Sequence, residues 1–201
     1  MMRSVAFIAV LCGVAAVVAG CATSPPSRFY TLSHTATPPA ASSATRSNLS
    51  VVVGPVSIPA IVDQPQIVVS TGPNQVSLDE FNRWASPLQN NIARVVAENL
   101  VALLGTPRVS LFQQSLNADA EYRVAIEVQS FESAPGEAAT LNAVWIVRRS
   151  RDGKAETGRT NIREPANDKG FDALAAAHSR ALARLSADVA VVIRTLADGA
   201  R

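Results

Sequence analysis

The sequence contains no cysteine after residue 21 and only two histidines, His34 and His178. A chain without cysteines in its body forms no disulfides there, so it must fold through its apolar core alone. Two histidines without a thiol are a poor ligand set for a tetrahedral zinc site. The sequence also lacks the motifs G-x-S-x-G, H-E-x-x-H and G-x-G-x-x-G and the P-loop. It therefore predicts a protein with no metal, no cofactor and no enzymatic activity.

The sequence also lacks a large excess of positive or of negative charge. The chain has 18 Lys and Arg residues against 16 Asp and Glu residues, and its formal net charge is +2. Proteins that bind nucleic acids usually carry a basic surplus, so no nucleic-acid partner is predicted. The 201 residues are enough for one ordinary domain with short terminal segments.

One long apolar run is present, from Val5 to Gly20, directly after a short basic start. It is shorter than the roughly 20 residues that a membrane-spanning helix needs and is typical of a secretory signal peptide. The run ends in the sequence VAGC, which resembles a bacterial lipoprotein cleavage box. In such boxes the thiol is joined to a diacylglycerol and the peptide is cut before the cysteine, so Cys21 is the predicted lipidation site. The alternative is an ordinary signal peptide, or an uncleaved anchor, with a coincidental cysteine.

These features divide the chain into three parts. Residues 1–20 are the predicted signal peptide, 21–27 a short tether and 28–201 a single domain. The six residues after Cys21 reach at most about 20 Å when extended, so we expect the domain close to the membrane surface. Within the domain, residues 34–48 are rich in Pro, Ala, Ser and Thr and are predicted to form a flexible loop.

Runs of β-branched residues and the alternation of apolar with polar residues predict the strands. The turn sequences GPN at 72–74 and DG at 152–153 predict two hairpins. One strand is predicted to bend at Gly54-Pro55. The predicted strands lie at 29–33, 49–58, 66–71, 75–78, 122–129, 141–147 and 156–163.

Two amphipathic helices are predicted. The stretch from Ser86 to Gln89 is typical of a capping box at a helix start, and this helix should end at Gly105. The second helix should run from Phe171 to Leu196. Together the elements predict an α+β fold in a single domain, with a mostly antiparallel sheet and the two helices packed on one of its faces.

Several motifs are similar, in order, to those of a known family. They are FYTL from Phe29, GPV from Gly54, QPQIV from Gln64, FNRWASPL from Phe81, NIAR from Asn91 and AHSRALARLS from Ala177. With Leu141 and Trp145 in a central strand, they resemble the ABC-type transport auxiliary lipoprotein family, the PqiC-like lipoproteins associated with MCE-domain proteins. The likeness covers nearly the whole chain after Cys21.

The resemblance implies a periplasm-facing lipoprotein of the outer membrane that works with an MCE-domain protein and its inner-membrane transport partner. Such systems form conduits that move lipids between the two membranes. The lipoprotein would dock the far end of the conduit at the outer membrane, and in one version of this model it does so as a homo-oligomer, a ring of identical copies. Ala22 is compatible with export to the outer membrane under the enterobacterial sorting rule. Family members commonly carry a basic residue where Gln64 stands and an acidic residue where Ser86 stands.

The resemblance and the residue chemistry together indicate a surface that contacts a partner. Trp and Arg are enriched at binding hot spots. For Trp84 an equally weighted alternative is that it packs the entry of the first helix against the sheet. The candidate partner-binding residues are Gln64, Pro65, Gln66, Phe81, Arg83 and Trp84.

Other residues with reactive side chains are predicted to have structural roles. His178 lies on the apolar stripe of the second helix and is predicted to be a hydrogen-bonded core histidine rather than a catalytic base. Trp145 lies in an alternating strand and is predicted to be in the core. Asp79 and Glu80 would point to opposite faces of a continuing strand, so they are weak candidates for an acid–base pair.

Two other functions remain beside docking. One is a binding module that holds a single acyl chain between the sheet and the helices. The other is an envelope hydrolase, for which the sequence shows no serine or carboxylate site.

Overall fold

The structure, a computed structural model, describes residues 24–37, 48–112 and 119–199. The predicted signal peptide and Cys21 lie outside these residues. The described chain forms strands, a short 3-10 helix and α-helices. They are β1 (Arg28–Tyr30), β2 (Val51–Ser57), the 3-10 helix (Ala60–Val62), β3 (Gln66–Gly72), β4 (Gln75–Trp84), α1 (Leu88–Leu104), β5 (Val109–Leu111), β6 (Tyr122–Ala134), β7 (Ala138–Arg149), β8 (Ala155–Pro165) and α2 (Phe171–Asp198).

Five strands form the larger sheet, in the order β5-β2-β6-β7-β8. Strand β2 pairs in parallel with both β5 and β6. Strand β7 pairs antiparallel with β6 on one side and with β8 on the other. The register of β2 shifts between Val53 and Val56, at the bend predicted for Gly54-Pro55. The hairpin predicted at Asp152-Gly153 joins β7 to β8, and Gly153 adopts a φ of 72° in that turn.

Three strands form a smaller sheet, in the order β1-β4-β3. Strands β3 and β4 form the predicted hairpin, with its turn at Pro73-Asn74. Strand β1 adds to the other side of β4 in parallel. Strand β4 continues to Trp84, six residues beyond its predicted end, and β3 contacts β6. The smaller sheet therefore lies against the larger one rather than apart from it.

Both helices pack on one face of the larger sheet. Helix α1 lies on β2 and β5, and α2 lies on β6, β7 and β8. The alternating residues of β6 and β7 point to these helices, and Val124, Ile126 and Val147 are almost fully buried. Burying a side chain of this size contributes roughly 1.5–3 kcal/mol relative to leaving it exposed. The layer between helices and sheet is therefore the core of the domain.

The predicted fold class is confirmed, but the arrangement of the strands differs from the prediction. The structure has two sheets, and each contains parallel as well as antiparallel pairs. Parallel pairing needs a long crossover connection, and α1 supplies one between β2 and β5. Period-two alternation shows that a strand is half-buried and does not say which strand it pairs with.

The predicted capping box at the start of α1 is wrong. The helix begins at Leu88 and Pro87 stands at the N-cap position, and no side chain of the described residues caps the first turn. The side chain of Gln89 instead donates a hydrogen bond from Nε2 to the main-chain oxygen of Val56. The bond satisfies a main-chain carbonyl in the bent part of β2. The side chain of Gln89 therefore makes a tertiary contact instead of the local capping contact that the sequence pattern predicted.

The first residues of the predicted flexible loop lie against the helices. Residues 34–37 form neither helix nor strand. The N–H groups of Thr35 and Ala36 both donate to Asn99 Oδ1 at 3.1 Å, and Asn99 Nδ2 donates to Ser186 Oγ at 3.3 Å. One buried side chain of α1 thus holds this segment and α2 together. The middle of the loop lies outside the described residues.

Trp145 is in the core, as predicted, and the chain makes room for it at one glycine. Its ring is 5% exposed, and its Nε1 donates to Thr160 Oγ1 at 3.0 Å. Gly158 on β8 lies opposite Trp145, and a Cβ added there would stand 2.2 Å from Cζ2 of the indole. Only a residue without a side chain leaves space for this ring.

We therefore predict that Gly158→Ala lowers the free energy of unfolding by about 1–3 kcal/mol, because overpacking displaces the indole. Urea denaturation measures the change. Gly72→Ala is the matched control, since its Cβ would meet Gln75 at an ordinary 3.7 Å. The control should change stability by less than about 0.5 kcal/mol. Equal losses in the two variants would contradict the packing account.

Candidate partner-binding site

Strand β4 carries the centre of the predicted patch, and its pairing with β3 is irregular between Leu78 and Arg83. The carboxylate of Asp79 holds this bulge by accepting hydrogen bonds from the N–H groups of Phe81 at 2.9 Å and Asn82 at 2.7 Å. Burial raises the pKa of Asp79, but the hydrogen bonds from Asn82 and Phe81 outweigh it and hold the pKa below its ordinary value. Asp79 therefore acts as a structural carboxylate in this bulge.

Trp84 ends β4 at the place where both sheets and α2 meet. The main-chain N–H of Trp84 donates a hydrogen bond to the main-chain oxygen of Pro65 at 2.8 Å. Its ring is 6% exposed and packs edge-on against Phe131, at 6.2 Å between centroids, and against His178, at 6.4 Å. The structure thus shows the packing role of Trp84, and contact between this residue and a partner stays a prediction.

A surface pocket of about 390 Å³ lies beside Trp84, between the loop before β3 and the entry of α1. Gln64 and Pro65 line one side, and Trp84 and Ser86 line the other. Gln64 Nε2 donates to the main-chain oxygen of Ile61 at 2.6 Å, which fixes the side chain at the rim. The volume is within the range of ligand pockets in proteins. We call this feature the 64/84 pocket.

Two further predicted residues lie on the outer face of the smaller sheet. The register places Gln66 opposite Arg83, and Arg83 opposite Phe29. Residues opposite each other point to the same face, so these three side chains form a row across the three strands, which we call the outer row. Arg83 Nε donates to the main-chain oxygen of Glu80 at 3.1 Å, which orients the guanidinium. Phe81 is half-buried in the bulge.

The structure therefore brings most of the predicted residues to one region, and it adds Phe29. Tyr30, the next residue, points inward and packs on Phe171, with the two rings tilted and 5.9 Å between centroids. The alternation within β1 then directs Phe29 outward. That alternation was visible in the sequence, but the face on which the core lies was not.

His178 is a buried core histidine, as predicted. Its Nε2 lies 2.8 Å from Ser133 Oγ, and its ring stacks on Phe131 at 3.8 Å between centroids. Its Nδ1 has no hydrogen-bond partner within the described chain. Burial lowers the pKa of His178 to about 3. A Ser–His pair that works in hydrolysis needs a group that orients the base through its second nitrogen. The geometry therefore gives no support to the hydrolase alternative.

The low pKa of His178 predicts a pH-dependent stability. The unfolded chain takes up the proton below pH 6.5, and the folded chain resists it down to about pH 3. The free energy of unfolding should therefore be unaffected above pH 6.5 and should fall as the pH drops below it, by at most about 1.4 kcal/mol per pH unit.

Urea denaturation across this pH window measures the slope. His178→Gln keeps a side chain that can hydrogen-bond Ser133 but cannot titrate, so its slope should be shallower than that of the wild type. Identical slopes in the two proteins would show that His178 is not held neutral by burial.

Residues 24–37, 48–112 and 119–199 contain no group of three or more His, Cys, Asp or Glu side chains placed to hold a metal ion. Over the same ranges, neither helix combines the length and the apolar character that crossing a bilayer requires.

A family model for the ABC-type transport auxiliary lipoprotein component matches residues 30–190. The match spans well over half of the chain and includes the 64/84 pocket and most of the outer row. It defines the class of protein as a lipoprotein associated with transport. The chain belongs to the ABC-type transport auxiliary lipoprotein family. The resemblance found in the sequence is thereby confirmed.

Two solved structures share the fold over most of the domain. Protein XCC0632 from Xanthomonas campestris, assigned to the family DUF330, has a TM-score of 0.70 and 21% identity, covering 87% of this chain and 100% of that one. An uncharacterized protein has a TM-score of 0.66 and 20% identity, covering 84% of this chain and 99% of that one. At these identities the likeness shows the fold alone. No curated protein matches the chain.

Proposed function

We propose that this chain is a periplasm-facing lipoprotein of the outer membrane that docks an MCE-type lipid-transport conduit. Membership of a family of transport auxiliary lipoproteins supports the transport role. The observation that carries the docking role is the surface pocket at the open end of the β3–β4 hairpin, where Gln64 and Pro65, just before β3, meet Trp84 at the end of β4. The MCE protein and its inner-membrane partner are the proposed binding partners.

The site is suited to docking because its main elements are already held in place. The hydrogen bond between Trp84 and Pro65 and the buried indole fix the walls of the 64/84 pocket before a partner arrives. A preformed site avoids the entropy cost of ordering loops and side chains on binding. The fitting partner segment would place an apolar side chain in the pocket and an acidic or carbonyl acceptor against Arg83.

Photo-crosslinking in intact cells tests this proposal. Trp84 is too buried to carry a probe, so we choose Ser86 and Pro65, which line the pocket and are exposed. A benzophenone amino acid at either position should crosslink to an MCE-domain protein. The same probe at Val191, 58% exposed on α2, is the control and should not. Equal crosslinking from all three positions, or crosslinks only between copies of this chain, would contradict docking at the pocket.

A specific observation also favours the second candidate function, a module that binds an acyl chain. A cavity of about 380 Å³ lies between α1 and the larger sheet, and its lining includes Val53, Ala93, Leu111 and Phe112. Gly54 adopts a φ of 124°, and a Cβ there would stand 2.8 Å from the Cβ of Phe112. The glycine therefore allows Phe112 to close one side of the cavity. The lining is largely apolar, as an acyl chain would require.

Filling the cavity tests this alternative. We expect Ala93→Trp to occupy the space and to abolish phospholipid that co-purifies with protein lacking its own lipid anchor, measured by mass spectrometry. Ala176→Trp, on the exposed side of α2, is the matched control and should leave the lipid in place. Absence of lipid from the parent protein, or lipid unchanged in Ala93→Trp, would remove the acyl-chain function from consideration.

A further inference from the structure

Phe29 is the most exposed large apolar side chain in the described residues, at 64%. It lies on β1, at an edge of the smaller sheet. Its neighbour Tyr30 packs on Phe171 and donates from its hydroxyl to Asn82 Oδ1 at 2.9 Å. Strand β1 thus directs one aromatic ring inward and the other to the outside. Packing among the described residues gives no reason for an aromatic residue at position 29.

The position of Phe29 in the chain places it near the membrane. Eight peptide units separate it from Cys21, and they span at most about 28 Å when fully extended. The described part of this tether, residues 24–27, is exposed and has no helix or strand. Such a tether cannot carry β1 far from the lipid that would anchor Cys21. This step rests on the lipid anchor of the proposed function.

The charges around Phe29 suit a lipid surface. Arg28 precedes it and is exposed, and Arg83 lies opposite it in the outer row. Aromatic rings are enriched at the level of the lipid headgroups, and arginines near a membrane surface are attracted to anionic lipids. Arg83 shares the outer face with Phe29, whereas Arg28 pairs with Asn82 and is directed to the other face of β1. An exposed aromatic ring with an arginine on the same face matches this environment better than it matches open water.

We propose that Phe29 rests in the headgroup layer of the membrane that holds the lipid anchor. Strand β1 is then the edge of the domain nearest to the bilayer. Gln66 lies two strands away, which is about 10 Å at the usual spacing of strands. The outer row and the 64/84 pocket therefore stand beside the membrane surface, and a docked conduit would end at that level.

The test uses the full lipidated chain and its lack of other thiols. When Cys12 has left with the signal peptide and Cys21 is acylated, a cysteine introduced at Phe29 is the only free thiol. We label Phe29→Cys with an environment-sensitive fluorophore in vesicles of phosphatidylethanolamine and phosphatidylglycerol. Val191→Cys and Phe112→Cys, 58% and 54% exposed, are the matched controls. Quenching by iodide in the water and by lipids that carry a nitroxide near the headgroup reports the position of each label.

We expect the label at position 29 to be quenched by the nitroxide lipid and protected from iodide several-fold, relative to both controls. Vesicle flotation, with Cys21→Ser as the unanchored reference, separates two failures. If the lipidated protein floats but its label at position 29 stays as open to iodide as the controls, the membrane contact is wrong and the anchor stands. If the lipidated protein does not float with the vesicles, both the lipid anchor and the membrane contact of Phe29 are wrong.

Labelling in intact cells identifies the other occupants of this surface. Protection of position 29 in cells but not in vesicles would show that a partner protein covers it. Disulfide-linked dimers of Phe29→Cys would show that a second copy does. Either result would overturn the proposal.

Discussion

The buried ring of Trp84 joins the smaller sheet to the rest of the domain. Its main-chain N–H, bonded to the main-chain oxygen of Pro65, holds the end of β4 to the start of β3. The ring contacts Phe131 from the larger sheet and His178 from α2, so one residue connects three layers. Removing a buried indole typically costs about 3–5 kcal/mol. Such a loss would loosen the strands that carry the candidate surface. The stability of the fold and the shape of the binding site thus depend on the same contact.

This coupling explains how one motif can serve packing and binding at once. Within the sequence FNRW, Asn82 and Trp84 face inward and Arg83 faces outward. The side-chain oxygen of Asn82 accepts a hydrogen bond from the hydroxyl of Tyr30. The inward residues fix the strand and thereby fix the direction of the outward one. A partner would meet a surface whose geometry is set by the core behind it. The lipid tether then limits where that surface stands relative to the membrane.

The elements that depend on nearby residues could be predicted from the sequence. Helical periodicity predicted α1 and α2 to within a few residues. Turn sequences predicted the β3–β4 and β7–β8 hairpins, but the hairpin that joins β6 to β7 was missed. The parallel pairing of β1 with β4 joins segments far apart in the chain, and no local pattern specifies such a pairing. Gln89 was assigned to a local cap because its contact with the distant Val56 was not visible. Phe29 was missed because the exposed face of a strand depends on where the core lies.

The proposed docking surface consists of the 64/84 pocket with Gln66 and Arg83 beside it. Hydrogen–deuterium exchange of the lipidated protein, measured with and without the MCE-domain protein, shows whether this surface is covered on binding. If the partner docks there, exchange should slow at Gln64, at Gln66 and in the first turn of α1, and should be unchanged along the exposed side of α2. Slowed exchange confined to α2 or β8, or no change at all, would contradict docking at this surface.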